Sequence, residues 1–97
     1  MKTVRALELM QNSFDSMMRS GLLENKVEVS PETVLLGVGS SLDSLGFITF
    51  FSDLEERISA DSGQEYYLVL TEIHEFNTEQ AFLSAGALAQ YIEKITG

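Results

Sequence analysis

One short stretch of the chain places a serine where it could hold a covalently attached group. The stretch Gly39–Phe47 (GSSLDSLGF) joins a glycine- and serine-rich loop to an amphipathic pattern that begins at Ser44. A hydroxyl in the first turn of a helix is exposed, and a phosphate attached to it lies near unpaired amide donors and the positive end of the helix dipole. We expect Leu42 and Leu45 to hold the backbone in place while the Ser44 hydroxyl stays exposed. The stretch therefore suits a covalent phosphodiester tether. The alternative is that Asp43 and Ser44 only cap a helix.

Other reactive patterns in the chain are incomplete. The stretch Leu42–Gly46 lacks the first glycine of a nucleophile elbow, and the hydrolases that use that turn need a far larger α/β fold. His74 is the only histidine, and we expect it to be a structural residue. The segment Asp61–Glu72 has the ends of a calcium loop, but its internal positions do not match. Gly37–Gly39 has neither the following lysine nor the preceding strand of a phosphate-binding loop. From these incomplete patterns we expect no catalytic residue and no metal site, and we expect that the protein is not an enzyme.

The apolar pattern predicts long helices on both sides of Ser44. The first runs from Thr3 to Ser20, with its first residue as the cap and Gly21 at its stop. The second runs from Ser44 to about Ser59, and Phe47 and Phe50 widen its apolar stripe. The last helix begins near Ser84. The expected buried faces are Val4, Leu7, Met10, Phe14, Met17 and Met18 in the first helix, Leu45, Ile48, Phe51, Leu54 and Ile58 in the second, and Ala85, Leu88, Ile92 and Ile95 in the last.

Two connections complete the predicted architecture. Residues 22–43 are too apolar for a free linker, so we expect an ordered loop across the bundle, with a helical turn after Pro31. Residues 66–70 look strand-like, but one short run has no second strand to pair with, so an extended connection is expected. Thr71–Phe76 is predicted to be a short capped helix. The predicted fold class is therefore all-α: one domain over residues 1–97, built as a small four-helix bundle with three long helices and one short helix.

Charge limits the partners that the chain could bind. The net charge is −9, and between Asp43 and Glu79 nine acidic residues accompany a single basic residue, Arg57. Such a segment repels nucleic acid and anionic membranes and attracts basic protein surfaces over about a Debye length. No apolar run could span a bilayer, and the absence of cysteine and of a secretory signal favours a cytoplasmic protein, expected to be a monomer. The alternative is that the acidity only confers solubility.

The sequence around Ser44 resembles the attachment helix of acyl carrier proteins. Asp43-Ser44-Leu45 is followed by Ile48 and by Leu54-Glu55-Glu56, which closes the helix. Upstream, residues 29–37 (VSPETVLLG) resemble the loop that the family places before its serine. Downstream, residues 82–92 (FLSAGALAQYI) resemble its final helix. The tripeptide alone is a weak signal, but the resemblance covers nearly the whole chain and includes its length, acidity and helix order.

The resemblance implies a carrier function. Ser44 would receive 4′-phosphopantetheine from coenzyme A through a separate phosphopantetheinyl transferase, typically magnesium-dependent, and Asp43 would help to orient metal and serine. Acyl thioesters on this arm would then reach acyl-loading ligases or acyltransferases and ketosynthase-type enzymes of lipid, fatty-acid or polyketide-type biosynthesis. Leu45 and Ile48 would contact both the arm and the partner enzymes, and Phe47 would make this recognition more apolar. Asp53, Glu55 and Glu56 would add acidic contacts to basic partner surfaces.

Departures from the family pattern leave alternatives open. Gly46 and Thr49 stand where many members have acidic residues, and the connection from Ser59 to Leu70 is long, which together point to a specialised carrier. An aminoacyl or peptidyl carrier, loaded by an adenylate-forming ligase, would use the same serine. A protein from another class would be an unmodified acidic interaction module that offers Phe47 and Phe50 to a partner groove.

Overall fold

Three helices and one short pair of strands make up the described part of the chain. The computed structural model describes residues 1–23, 26–37, 40, 42–69, 72–73 and 82–97, and Ser44 by its backbone only. The fold is mostly helical, as predicted, with a small sheet that the sequence pattern does not predict. The elements are α1 (Thr3–Arg19), β1 (Val34–Leu36), α2 (Ser44–Ser62), β2 (Leu83–Ser84) and α3 (Ala85–Thr96).

Helix α1 runs antiparallel to both other helices. Arg5, near its start, donates to the carboxylate of Asp61 near the end of α2, with Nη2 and Oδ1 2.6 Å apart. This hydrogen bond lowers the pKa of the Asp61 carboxyl below its usual value. The Thr3 hydroxyl donates to the carboxylate of Glu93 near the end of α3. Helices α2 and α3 therefore both begin at the end of the molecule where α1 finishes.

Helix α1 ends almost where predicted, and most of its predicted stripe faces the core: Met10, Phe14 and Met17 are buried, and Leu7 packs against the core. Gly21 has a φ of 83°, a left-handed conformation that suits glycine at a helix end. The predicted cap at Thr3 is wrong, because Lys2 is the N-cap residue and no side chain caps this end. Val4 and Met18 are exposed, which contradicts their predicted burial. The buried residues of α1 are Ala6, Leu9, Met10, Ser13, Phe14 and Met17.

Helix α2 begins at Ser44, as predicted, and continues to Ser62. Gly63 then adopts a φ of 75° and donates its N–H to the carbonyl of Ser59 at 3.0 Å. The predicted stripe is confirmed at Leu54 and Ile58, which are buried, and at Phe51, which packs against the core. It is wrong at Leu45 and Ile48, which are exposed. The fully buried or nearly buried residues on this helix are Phe47, Phe50, Leu54 and Ile58.

The core where α1 faces α2 is apolar and partly aromatic. The rings of Phe14 and Phe50 lie with centroids 4.7 Å apart, within the range of favourable aromatic pairs. Leu54 and Ile58 are completely buried beside them on α2. Ser13 is also buried, and its hydroxyl has no hydrogen-bond partner in the described part of the chain. Apolar burial is therefore what stabilises this layer.

A polar side chain of α1 holds the loop that precedes α2. The Gln11 amide nitrogen donates to the carbonyl of Val27, and its amide oxygen accepts the N–H of Val29, both at 2.8 Å. The predicted helical turn after Pro31 is instead a single hydrogen-bonded turn, in which the N–H of Thr33 donates to the carbonyl of Ser30 at 3.0 Å. The described residues of this connection thus form an ordered loop, as predicted.

The same loop packs closely on the start of α3. The N–H of Gly86 donates to the carbonyl of Pro31 at 2.9 Å, and the N–H of Ala85 donates to the carbonyl of Thr33 at 2.7 Å. A Cβ at Gly86 would lie only 2.9 Å from the Pro31 oxygen, so glycine permits this approach. Beyond the contact, β1 pairs antiparallel with β2, with Val34 opposite Ser84 and an irregularity before the next pair.

In the connection from α2 to α3, residues 65–69 form neither a helix nor a strand, which agrees with the prediction that the strand-like run has no partner strand. Tyr66 exchanges hydrogen bonds with the hydroxyl of Ser59, and the N–H of Leu68 donates to the Glu55 carboxylate at 2.9 Å. Of the predicted short helix, Glu72 and the residue after it are helical. Thr71 and residues 74–76, with His74, lie outside the described residues.

Helix α3 agrees best with the sequence pattern. Ser84 is its N-cap, and the Ser84 hydroxyl accepts the N–H of Ala87 at 3.2 Å. Three residues of the predicted stripe are completely buried, and Ile95 is partly buried. The buried residues are Ala85, Leu88, Ala89, Tyr91 and Ile92.

Candidate functional site

Asp43 fixes the first turn of α2. Its Oδ1 accepts the N–H of Gly46 at 2.6 Å, and its carbonyl oxygen accepts the N–H of Phe47 at 2.8 Å. These are the bonds of an N-cap residue, which satisfy amides that have no partner within the helix. A Cβ on Gly46 would lie 3.0 Å from Asp43 Oδ1, so glycine lets the carboxylate approach the amide closely. The predicted cap at Asp43 is therefore confirmed. Its close contact with the Gly46 amide also explains why a glycine occupies position 46.

Ser44 follows this cap as the first residue of α2. Its side chain lies outside the described part of the structure, so an exposed hydroxyl stays a prediction. Its neighbour Leu45 is 70% exposed, and Ile48, one turn further along, is 60% exposed. Leu45 therefore does not hold the backbone, which contradicts the prediction, whereas Leu42 packs against the core as expected. Another protein can reach this side of the first turn from solvent.

Ser40 is the other serine of the motif that the structure describes, and it has a structural role. Its hydroxyl donates to the carbonyl of Leu35 at 2.8 Å and accepts the N–H of Leu42 at 3.1 Å. These bonds tie β1 to the residues directly before Ser44. A hydroxyl engaged in this way is a poor attachment point. Ser41 lies outside the described residues.

Two of the aromatic residues assigned to partner contacts belong to the core. Phe47 is 6% exposed and Phe50 is completely buried. The ring of Phe47 contacts that of Phe51, with centroids 5.2 Å apart. The prediction that Phe47 and Phe50 are available to a partner is therefore wrong. A helix with apolar residues on nearly every side does not reveal from sequence which of them face inward.

The acidic residues of α2 are partly engaged within the molecule. The Asp53 carboxylate accepts from the Nε of Arg57 at 2.6 Å, and Glu55 accepts from the backbone N–H of Leu68. Glu56 is exposed. Within the described residues, no group of three or more histidine, aspartate or glutamate side chains could hold a metal ion.

The sequence does not reveal several residues that support the site. Gln11 and Ser40 act through hydrogen bonds to backbone groups, which leave no periodic pattern in the chain. Leu36 and Phe82 are exposed apolar side chains on and beside the strand pair.

Comparisons of the chain with protein-family models, with curated proteins and with solved structures find no match. None of the described helices is both long enough and apolar enough to cross a membrane. The structure thus defines a small, mostly helical domain in which a capped helix begins at Ser44.

Proposed function

We propose that this protein is an acyl carrier protein, which holds acyl groups as thioesters on a 4′-phosphopantetheine arm attached to Ser44. The observation that supports the proposal most is the start of α2 at Ser44, directly behind the Asp43 cap. Leu45 and Ile48 extend into solvent beside it, so an enzyme can approach this turn. The acidic segment that contains the serine supports contact with basic partner surfaces.

The proposed modification is a phosphoryl transfer to the serine. The Ser44 oxygen bonds to the phosphorus that bears the pantetheine, and the pyrophosphate bond of coenzyme A breaks. Adenosine bisphosphate leaves, and the serine proton passes to the transferase or to solvent. This chain contributes the fixed turn, in which Asp43 holds the backbone, and the transferase contributes the catalytic groups. The arm supplies the thiol that forms the thioester.

The proposal includes a complete four-helix carrier bundle over one domain, residues 1–97. Glu72 and Ile73 are helical, and the N–H of Ile73 donates to the carbonyl of Val69 at 3.0 Å. These contacts support a short helix at the predicted position, Thr71–Phe76, as the fourth member of the bundle.

A carrier needs no catalytic group of its own. Its arm delivers the reacting carbonyl to successive enzymes at high effective concentration, so the chemistry belongs to the partners. We accordingly propose a cytoplasmic monomer that serves a transferase, an acyl-loading ligase or acyltransferase, and ketosynthase-type enzymes.

Intact mass spectrometry tests the proposal directly. After incubation with coenzyme A, magnesium and a broad-specificity phosphopantetheinyl transferase, the wild-type protein should gain the mass of one phosphopantetheine group. Ser44→Ala should gain none, while Ser41→Ala should gain it as the wild type does. No gain with several transferases would contradict the carrier function. A gain that persists in Ser44→Ala but is lost in Ser41→Ala would show that the attachment site is Ser41 rather than Ser44.

Two alternatives remain distinguishable by experiment. An aminoacyl or peptidyl carrier would use the same serine, and loading assays with acyl and aminoacyl ligases separate the two. The unmodified interaction module loses its original support, because Phe47 and Phe50 are buried. The absence of any modification would favour that module again.

A further inference from the structure

The chain that joins the strand pair to α2 has a backbone with few constraints of its own. Residues 37–41 (GVGSS) are glycine and serine apart from one valine, and Gly37 has a φ of 115°. The Asp43 cap orders the first turn of α2 internally, because its partners Gly46 and Phe47 belong to the same helix. That cap does not connect the turn to the strand pair.

Ser40 makes this connection with one hydroxyl group. Its Oγ donates to the carbonyl of Leu35 in β1 at 2.8 Å and accepts the N–H of Leu42 at 3.1 Å. The same oxygen lies 3.4 Å from the carbonyl of Leu42, so its single proton is used in the shorter contact with Leu35. Within the part of the chain that the structure describes, no other side chain hydrogen-bonds both β1 and the residues directly before Ser44.

Both partners of this hydroxyl have fixed positions of their own. Leu35 is completely buried, and its strand pairs with β2, which leads directly into α3. Leu42 packs against the core and immediately precedes the Asp43 cap. The Ser40 hydroxyl therefore relates the Ser44 turn to the core and, through the strand pair, to the start of α3.

We propose that Ser40 is a positioning residue for the modification of Ser44, which holds the first turn of α2 in place relative to the strand pair while the transferase acts. This inference rests on the proposed carrier function and adds the group that places the acceptor serine. In-line attack on phosphorus requires alignment, and a displacement of about 1 Å costs on the order of a hundredfold in rate. Ser40 acts through the backbone and does not touch the reacting atoms.

Ser59 provides a matched control near the other end of α2. Its hydroxyl also bridges backbone groups, because it accepts the N–H of Tyr66 at 3.0 Å and donates to the carbonyl of Tyr66 at 3.3 Å. Ser40 and Ser59 are both half-buried, so alanine removes an equivalent bridge at each position. Ser59 lies about 22 Å along the helix axis from Ser44, so its bonds contribute to stability without placing the Ser44 turn.

Steady-state kinetics of modification by coenzyme A, magnesium and a broad-specificity phosphopantetheinyl transferase test the positioning role. Ser40→Ala should lower kcat about tenfold and leave KM for this protein within about twofold, because the turn is displaced while the surface that the enzyme contacts is unchanged. Ser40→Thr keeps the hydroxyl and should stay within about threefold of the wild type. Ser59→Ala should leave both constants unchanged. Thermal melting by circular dichroism identifies a temperature at which every variant is folded.

The opposing outcomes separate this inference from the carrier function. A wild-type kcat in folded Ser40→Ala would overturn the positioning role and leave the carrier function intact. An equal loss of kcat in Ser40→Ala and Ser59→Ala, or a loss confined to KM, would overturn it as well. If Ser40→Ala does not fold, Ser40→Cys replaces it with the same expected result, because a thiol of similar size forms only weak hydrogen bonds. If the wild type is never modified, the carrier function itself fails.

Discussion

At the scale of single residues, Asp43 connects the sequence motif to a defined geometry. Its carboxylate accepts the Gly46 amide at 2.6 Å, and its carbonyl accepts the Phe47 amide. Ser44 therefore has a fixed backbone position at the start of α2. A fixed position suits the proposed attachment of an arm at Ser44.

Removing the Asp43 side chain should weaken the helix start. We expect Asp43→Ala to lower the free energy of unfolding by about 0.5–2 kcal/mol, because the Gly46 amide loses its acceptor. Urea denaturation measures the change. Asp43→Asn keeps a capping oxygen and should stay within a few tenths of a kcal/mol of the wild type. An equal loss in both variants would show that the charge of Asp43, rather than the cap, is what stabilises the protein.

At the scale of elements, the packing of α2 distinguishes buried from exposed leucines, which the sequence pattern alone does not distinguish. Leu54 is completely buried, whereas Leu45 on the same helix is mostly exposed. The helix has apolar residues around much of its circumference, so a period of 3.6 residues fits more than one buried face. Contact with Phe14 of α1 selects the face that is observed.

A matched pair of substitutions tests this face. Leu54→Ala should lower the free energy of unfolding by about 2–5 kcal/mol, because it removes packed atoms and leaves a cavity. Leu45→Ala should change it by less than about 0.5 kcal/mol, as expected for a surface position. Denaturant midpoints compare the two. Similar losses at both positions would mean that the helix is rotated from the orientation described.

The loop before α2 depends on the side chain of Gln11. We expect Gln11→Leu to lower the free energy of unfolding by about 1–3 kcal/mol, because the backbone groups of Val27 and Val29 lose their partners. Amide hydrogen exchange at Val29 should become faster. Gln90→Leu, at an exposed position of α3, is the control and should leave that exchange rate unchanged. Unchanged exchange in Gln11→Leu would show that the loop is held by other contacts.

The helices were predictable from sequence to different degrees, for physical reasons. Helix α3 has a single apolar stripe behind the Ser84 cap, so both its start and its buried face were predicted correctly. Helix α1 was correct in extent, but the burial of Ser13 and the exposure of Val4 depend on which neighbours pack against it. The strand pair was not predicted, because strands of two or three residues have no detectable period and Val34 pairs with the distant Ser84. The position of the candidate serine was predicted from the cap motif, whereas its apolar surroundings depend on tertiary packing.

At the scale of the whole molecule, Tyr91 links the stability of the fold to pH. Its hydroxyl donates to the Glu72 carboxylate at 2.8 Å, joining α3 to the connection that precedes it. Burial, and then this hydrogen bond, raises the pKa of Tyr91 to about 12, compared with about 10 for an unperturbed tyrosine. The folded state therefore keeps the phenol proton at pH values where the unfolded state releases it.

Stability should consequently decrease in alkaline solution. The contribution of Tyr91 is complete below a pH of about 10 and is lost as the pH rises towards 12, by about 2–3 kcal/mol in total. Urea denaturation at a series of alkaline pH values measures this slope. Tyr91→Phe cannot ionise and should show a flatter dependence. An identical slope in Tyr91→Phe would assign the pH dependence to other groups.

The pairing of β1 with β2 also has a kinetic consequence. Val34 and Ser84 are far apart in the chain, so joining them closes a long loop and costs conformational entropy. The helices can form from local contacts before this loop closes. Strand pairs joined by so few hydrogen bonds need little free energy to open in native proteins. The strand pair is therefore expected to form after the helices and to open more readily than they do, although it lies at the end of the molecule where the cap of α2 holds its first turn.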